Sequence, residues 1–275
     1  MSIPSPAPST SNALNPQPLI DPSRLCNPYT GEPLKLEEEV LVSVSSGQRF
    51  PIRNGIPSFI INTHTPRRNR FYRWFYDRAA FAYDFTLDLG PKLNYGAEAD
   101  IRRDYIAQLP IHPGDTVLET AMGTALNIPH LPTHAEYYGL DISYSMLRRA
   151  RRNLANWNRS ALLFHADAQF LPFHDNTFEL VFQMGGLQFM ADPFKAVREM
   201  ARVAVPGASI TIIDEASAVL RTFKRLPAHA PHVTDQASAI AALPRLVPQG
   251  MASAAAELLP SGEFYALNFQ IPEDY

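Results

Sequence analysis

The stretch between Asp115 and Asp141 limits the fold of this chain more than any other. A short apolar run at Thr116–Thr120 is followed by a loop of small residues at 121–125 and then by a second apolar run that ends in Asp141. A strand, a small-residue loop and a second strand that delivers a carboxylate are typical of an α/β sheet that receives an adenosine-bearing cofactor. Asp141 follows Gly123 by 18 residues, close to the roughly 20 residues at which an acidic side chain reaches ribose hydroxyls.

Composition limits the class of protein. The chain has 275 residues, of which 46% are hydrophobic and 19% charged, which is typical of an enzyme with one main domain and a small appendage. The net charge of −3 gives no general attraction to nucleic acid or anionic lipid, so neither partner is expected. A single cysteine excludes an internal disulfide. The sequence has no apolar run of the roughly 20 residues that span a bilayer and no secretory signal, which predicts a cytoplasmic protein.

Three segments are predicted along the chain. Residues 1–23 are mostly Ser, Pro, Ala and Asn without periodic hydrophobicity, which indicates a disordered tail. Residues 24–62 contain the β-like runs 40–44 and 49–52, which indicate a small β segment. Residues 63–275 form the predicted main domain.

The main domain alternates between short apolar runs and helical patterns. The predicted strands are 116–120, 137–142, 161–166, 178–184 and 209–214, followed by a hairpin of 254–259 and 263–270. The predicted helices are 67–90, 102–109, 124–131, 143–156 and 192–204. Strands that alternate with helices predict an α/β fold with a parallel sheet covered on both faces, here with an antiparallel edge.

Five blocks in a fixed order carry a resemblance to a known family. They are Val117–Ala125, Gly139–Ser143, Ala166–Phe173, Phe178–Phe182 and the Pro206-Gly207 pair before strand 209–214. Through these blocks, residues 76–214 resemble the class I S-adenosylmethionine-dependent methyltransferases, especially the branch similar to ubiquinone and menaquinone biosynthesis enzymes. The resemblance implies a Rossmann-like sheet of seven strands and S-adenosylmethionine as cofactor. The G-x-G-x-x-G fingerprint of NAD sites is absent from the sequence.

The resemblance also implies which residues bind the cofactor. Glu119 would accept a hydrogen bond from the methionyl amino group, Asp141 would bind the ribose hydroxyls, and Asp167 would accept from the adenine amino group. The full implied set is Glu119, Ala121, Gly123, Ala125, Asp141, Ile142, Met146, Asp167, Ala168, Gln183 and Met184.

The loop at 121–125 departs from the family pattern. Ala121 and Ala125 stand where the family usually has glycine, and only Gly123 is retained. If φ is positive at either alanine, the residue costs roughly 1 kcal/mol or more. If φ is negative, the loop is merely narrower.

The N-terminal segment departs from a second resemblance. Residues 25–60 are similar to a small zinc ribbon that precedes or activates some methyltransferases, including RNA methyltransferases. The four zinc cysteines of that ribbon would fall at Cys26, Tyr29, Ser43 and Ser46, and only the first is cysteine. Because zinc needs four such ligands, we predict no metal. The segment would instead pack through apolar side chains and cover the main domain or support a homo-oligomer. Those side chains are Val42, Val44, Phe50, Ile52 and Phe59.

The sequence gives no clear general base. The family's frequent histidine pair after the fourth strand is replaced here by Gln188-Phe189. Candidates for a catalytic role are Tyr76, Tyr83, Gln188, His229 and His232. The basic and aromatic run at 67–77 is interpreted as an amphipathic helix that roofs the site rather than as an RNA-stacking element.

The leading hypothesis is S-adenosylmethionine-dependent methyl transfer to a small, largely apolar metabolite. The altered loop and the missing base keep a second hypothesis open. In that hypothesis the methyltransferase fold is repurposed for a cyclisation, a rearrangement or simple binding, with or without the cofactor. A third hypothesis, an RNA methyltransferase, follows the ribbon resemblance and is weakened by the missing cysteines and by the acidic net charge.

Overall fold

A seven-stranded, mostly parallel sheet forms the centre of the protein. The computed structural model describes residues 20–74, 96–223 and 233–274. The strands of this sheet are β5 (Thr116–Thr120), β6 (Glu136–Asp141), β7 (Leu162–His165), β8 (Phe178–Met184), β9 (Ala204–Glu215), β10 (Ala252–Leu258) and β11 (Phe264–Gln270). They lie in the order β10-β11-β9-β8-β5-β6-β7, with β10 and β11 antiparallel at one edge. The predicted Rossmann-like α/β fold is confirmed.

Strand β5 lies at the middle of the parallel part and pairs with both β6 and β8. All five of its residues are buried, because helices and loops cover both faces of the sheet. Val117 and Leu118 point into two different apolar clusters, one on each face. The chain runs from β5 to β6 and β7, then returns to place β8 on the other side of β5. The carboxyl end of β5 therefore lies at the switch point where α/β sheets bind ligands.

The helices lie between the strands. They are α1 (67–74), α2 (Gly96–Asp104), α3 (Tyr144–Asn156), α4 (Pro193–Val203), α5 (Val219–Phe223) and α6 (Gln236–Ala242). Short 3₁₀ turns occur at Pro22–Arg24, Ile106–Gln108, Ile128–His130, Leu187–Phe189, Ala216–Ala218 and Leu243–Leu246. Helix α3 begins as predicted, with the Ser143 hydroxyl accepting from the Met146 amide.

Two predicted helices are wrong in detail. The segment predicted as a helix at 124–131 consists of turns and the 3₁₀ turn Ile128–His130. Ala125 has a φ of 66°, outside the right-handed helical region, and Pro129 and Pro132 prevent a longer helix. The predicted helix 102–109 is divided between α2 and the turn at 106–108.

A second, antiparallel sheet covers one edge of the main sheet. Its strands are β1 (Leu34–Glu37), β2 (Val40–Ser43), β3 (Arg49–Arg53) and β4 (Ile56–Pro57). Just after β4, Ser58 forms a parallel bridge with His165 of the edge strand β7, and the Phe59 amide donates to the His165 carbonyl at 2.8 Å. The small β segment thus continues the main sheet beyond β7, while the proposed domain boundaries at 24–62 and 63–275 stay predictions.

The packing of this segment is mostly as predicted. Val42, Phe50 and Phe59 are buried and Ile52 packs against the core. Val44 does not pack, because it follows the end of β2 and is 58% exposed.

A buried polar network joins two turns of this segment. The buried Asn27 amide donates to the Ser43 hydroxyl at 3.0 Å and to Gln48 Oε1 at 2.8 Å. The Cys26 thiol points elsewhere and donates to the Phe173 carbonyl at 3.1 Å. Within the described ranges, no group of three or more His, Cys, Asp or Glu side chains could hold a metal ion. Direct hydrogen bonds therefore join the two turns of the segment.

At the opposite edge of the main sheet, the pairing of β10 with β11 is irregular. The register shifts between Ala252 and Ala255, and Ser253 between them has a φ of 55°. This is a bulge, which bends and twists an edge strand. In the part of the chain that the structure describes, no helix is long and apolar enough to cross a membrane.

Candidate active site

A cleft of about 310 Å³ lies at the carboxyl ends of β5, β6, β8 and β9. Its volume falls in the range of small-molecule sites. Eight of the implied cofactor residues line it: Ala121, Gly123, Asp141, Ile142, Met146, Asp167, Ala168 and Met184. The other three, Glu119, Ala125 and Gln183, are buried behind the cleft wall. The structure thus brings most of the predicted set together at one site.

Asp141 ends β6 and faces the cleft with its carboxylate held in place. Its Oδ2 accepts from the Gly123 amide at 2.9 Å, and its Oδ1 accepts from the Ser143 amide at 2.8 Å. The first bond ties β6 to the loop after β5, and the second ties it to the start of α3. These bonds hold the carboxylate in one orientation at the cleft.

Asp167 lies on the loop after β7 and accepts three hydrogen bonds. Its Oδ1 accepts from the amide and the side chain of Gln169, both at 3.0 Å, and its Oδ2 accepts from Asn69 Nδ2 at 2.6 Å. Asn69 belongs to α1, lines the cleft, and also accepts from the Ala191 amide at 3.0 Å. Sequence patterns did not identify Asn69, because its partner Asp167 is 98 residues away.

A polar chain connects Glu119 to the cleft. Asn127 donates to Glu119 Oε1 at 2.6 Å, and Arg102 Nε donates to Asn127 Oδ1 at 3.0 Å. Asn127 and Arg102 both line the cleft, and neither was identified from sequence. Burial raises the pKa of the Glu119 carboxyl to about 8, although the bond from Asn127 lowers it. Among the described residues, Glu119 Oε2 has no hydrogen-bond partner, an arrangement that suits an incoming cationic or hydrogen-bonding group.

The loop between Ala121 and Ala125 keeps the conformation of a glycine loop. The φ angles are 54° at Ala121, 58° at Gly123 and 66° at Ala125. Both alanines are therefore in the left-handed region, and the first alternative raised by the sequence is the correct one. Their methyl groups have different surroundings: that of Ala121 lines the cleft, whereas Ala125 is fully buried in the apolar core.

Gln183 does not line the cleft, and its side chain forms hydrogen bonds within the sheet instead. Its Oε1 accepts from the Thr120 hydroxyl at 3.0 Å, and its Nε2 donates to the Gly185 carbonyl at 3.2 Å. These bonds link β5 to β8 beneath the cleft floor.

Asp214 is a buried acid that the sequence did not assign to the site. It lies near the end of β9, lines the cleft, and accepts from the amides of Leu187 at 2.9 Å and Glu215 at 2.8 Å. Burial raises the pKa of its carboxyl to about 6, against the lowering effect of these backbone bonds. A carboxyl with such a pKa can accept a proton near neutral pH.

Of the candidates for a catalytic role, only Gln188 is within the described residues. It lines the cleft, accepts from the Arg221 guanidinium at 2.8 and 3.1 Å, and its carbonyl accepts from Arg68 at 2.7 Å. These contacts fix the loop after β8. The remaining candidates, Tyr76, Tyr83, His229 and His232, lie outside the described residues.

The fold and the cleft define a Rossmann-like domain with a ligand-sized cleft at the switch point of its sheet. Comparison with known proteins shows what this domain resembles. Residues 118–212 match a family model described as a methyltransferase domain. Demethylmenaquinone methyltransferase of Corynebacterium urealyticum is 33% identical over 149 residues, which cover 54% of this chain and 61% of that protein. The enzyme of the same name from Desulfitobacterium hafniense is 30% identical over 162 residues, which cover 54% and 64%.

Solved structures share the fold at low identity. Phosphoethanolamine N-methyltransferase 2 of Haemonchus contortus, in complex with S-adenosyl-L-methionine, has a TM-score of 0.52 and 13% identity, with 78% of this chain and 62% of that chain covered. The cyclase SpnF has a TM-score of 0.55 and 15% identity, with 76% and 98% covered.

The family match and the relatives support a class I S-adenosylmethionine-dependent methyltransferase domain in this part of the chain, and the sheet order agrees with them. S-adenosylmethionine is the cofactor of such domains. The match spans less than two thirds of the length of these two curated relatives.

Proposed function

We propose that this protein transfers a methyl group from S-adenosylmethionine to a small, largely apolar metabolite. The observation that carries the proposal is the position of Asp141 and Asp167. Asp141 ends β6 and Asp167 follows the neighbouring parallel strand β7, and both face one cleft beside a loop in the left-handed conformation. The bound cofactor supplies a methyl group that the adjacent sulfonium charge already activates.

The residues of the cleft fit the two ends of that cofactor. Asp141 would accept from the ribose hydroxyls, and Asp167 keeps acceptor capacity for one more donor, such as an adenine amino group. At the other end, Arg102 offers a cation to a carboxylate, and an ammonium group would lie near Glu119, whose carboxyl is buried behind Asn127. Binding of the ammonium group would favour the ionised form of Glu119.

The remaining wall of the cleft supports an apolar substrate. Tyr72, Met184, Phe189, Met190 and Phe264 supply aromatic and thioether surface next to the loop after β8. Such walls exclude water and align an apolar ring with the methyl group. The name of the curated relatives, demethylmenaquinone methyltransferase, is in keeping with an apolar ring substrate.

Asp214 is the proposed proton acceptor. It is the buried acid at the cleft on the β9 side, and its raised pKa of about 6 leaves it ionised at neutral pH and still basic enough to take a proton. Methylation of an acidic carbon or a hydroxyl releases one proton, which this carboxylate would receive.

Calorimetric titration with S-adenosylmethionine and S-adenosylhomocysteine tests the proposal. We expect both ligands to bind to the unaltered protein and binding to be lost in Asp141→Ala. Asp104→Ala, which removes an exposed carboxylate outside the cleft, should bind normally. Binding followed by methyl consumption with a quinol-type substrate would support methyl transfer. Binding without methyl consumption across such substrates would favour the repurposed fold, and absence of binding would refute the proposal.

A further inference from the structure

Helix α1 has two faces with different surroundings. Toward the protein, Asn69 is buried against Asp167, and the Tyr72 ring lies 4.9 Å from the Phe189 ring, centroid to centroid. Both residues line the cleft. Away from the protein, Phe71 is 56% exposed and Trp74 is 51% exposed. The described part of α1 therefore supplies both part of the cleft wall and an exposed aromatic surface.

The exposed surface combines aromatic and basic side chains. Arg67, Arg70, Phe71 and Trp74 follow the i, i+3, i+4, i+7 spacing of a single helix face, which we call the aromatic–arginine face. The rings of Phe71 and Trp74 stack on each other with centroids 6.1 Å apart and an interplanar angle of 28°. Burying these two large aromatic side chains against another surface would remove apolar area from water, which is favourable.

Among the described residues, the partners of Arg70 and Arg73 on α1 carry no negative charge. Arg70 donates to the Asn62 carbonyl at 2.8 Å, and Arg73 donates to Asn62 Oδ1 at 2.8 Å. Both acceptors are neutral oxygens, so the positive charge remains. Arg67 is exposed at the start of the helix. The overall charge of −3 argues against general attraction to anionic surfaces, but at physiological salt charges act over only about 8 Å, so the local arginines decide what binds here.

We propose that the aromatic–arginine face docks on the surface of an anionic lipid bilayer. Trp and Phe side chains insert at the level of the lipid headgroups, and arginines pair with anionic headgroups. This inference rests on the proposed function, because an apolar substrate partitions into lipid and would reach the cleft past the helix that forms part of its wall. RNA is the less suitable partner: sequence-independent RNA binding uses a basic groove with separate stacking platforms, whereas here the two rings stack on each other.

The two tryptophans of the chain make the test specific. Trp157→Phe leaves Trp74 as the single reporter, and Trp74→Phe leaves Trp157, which lies at the end of α3 and is 36% exposed. Each full-length variant is mixed with phosphatidylcholine vesicles, with and without phosphatidylglycerol. We expect the emission of Trp74 to shift to shorter wavelength with phosphatidylglycerol vesicles and the emission of Trp157 to stay unchanged.

Matched variants separate local from general effects. Phe71→Ala should weaken vesicle co-sedimentation. Arg67→Gln should weaken it about fivefold, which corresponds to about 1 kcal/mol for one basic side chain at an anionic surface. Arg148→Gln makes the same change in net charge on the exposed face of α3 and should leave co-sedimentation unchanged.

Several outcomes would overturn the inference. They are absence of vesicle binding, equal shifts of both tryptophans, equal effects of Arg67→Gln and Arg148→Gln, or binding of a mixed-sequence RNA oligonucleotide without vesicle binding. S-adenosylmethionine binding is measured on the same protein samples. Normal cofactor binding without vesicle binding would refute the docking surface alone. If the unaltered protein does not bind S-adenosylmethionine, the proposed function is refuted.

Discussion

Replacing Ala121 and Ala125 with glycine, one at a time, should have different effects, although both have positive φ. A non-glycine residue in the left-handed region costs about 1–2 kcal/mol. Glycine relieves that cost and loses about 0.4–1 kcal/mol through the larger entropy of the unfolded chain. The balance for Ala121→Gly is a gain in unfolding free energy of about 0.5–1 kcal/mol, because its half-buried methyl lines the cleft and is not packed in the core.

Ala125 differs because its methyl group is 0% exposed and belongs to the core. Removing a buried methyl costs about 0.8 kcal/mol or more, which cancels the relief of backbone strain. We therefore expect Ala125→Gly to have the stability of the unaltered protein or slightly less.

Thermal unfolding and calorimetry measure both effects. Ala121→Gly should raise the melting temperature by about 1–4 °C, since 1 kcal/mol shifts a domain of this size by roughly 2–4 °C. It should also bind S-adenosylmethionine more tightly, because it removes a methyl group from the cleft wall. Ala125→Gly should change neither quantity by as much. Equal stabilisation by the two substitutions, or destabilisation by Ala121→Gly, would show that the reasoning from φ and burial is wrong.

Three further predictions concern single residues. Glu119 has a pKa of about 8 in the folded protein and near 4.5 when unfolded, so the cofactor-free protein should lose stability as the pH rises toward 8. Denaturant titrations of Glu119→Gln should not show this loss, and an unchanged dependence of stability on pH would contradict the assignment. Asp214→Asn should lower the rate of methyl transfer by about a hundredfold or more and abolish the rise in rate through about pH 6. If the variant keeps the pH dependence of the unaltered protein, Asp214 is not the proton acceptor. Gly139→Ala would place a Cβ in steric conflict with the Met122 thioether and should destabilise the protein by about 1–3 kcal/mol. In the Gly139→Ala background, Met122→Ala should lower the free energy of unfolding by less than it does in the unaltered protein. Strictly additive effects of the two substitutions in a double-mutant cycle would contradict this contact.

The fold was predictable because its signals are local in sequence. Strands such as 116–120 and 178–184 are short apolar runs with clear ends, and the structure has the same bounds. The carboxyl ends of parallel strands meet at one edge of a sheet, so the strand order together with the family resemblance predicted that Asp141 and Asp167 lie at the same edge.

The rest of the site depends on information that is not local. Alanine favours the right-handed region, so its residue type gave no sign that Ala121 follows the left-handed path; the surrounding sheet imposes it. The contact of Asn69 with Asp167 joins residues 98 apart. Burial of Glu119 behind Asn127 was likewise invisible, because the sequence shows which acid follows a strand but not which side chain stands in front of it.

The pairing of Ser58 and Phe59 with His165 determines how much of the β7 edge stays open to other chains. An open parallel edge strand presents unpaired amides and carbonyls to other chains. Here the N-terminal segment occupies the β7 edge, while the bulge at Ser253 distorts the opposite edge at β10. A truncated variant that begins after residue 62 would expose β7 even if its cleft were intact. The N-terminal segment thus protects the β7 edge from pairing with other chains. Its removal should appear first as concentration-dependent association rather than as a change in catalysis.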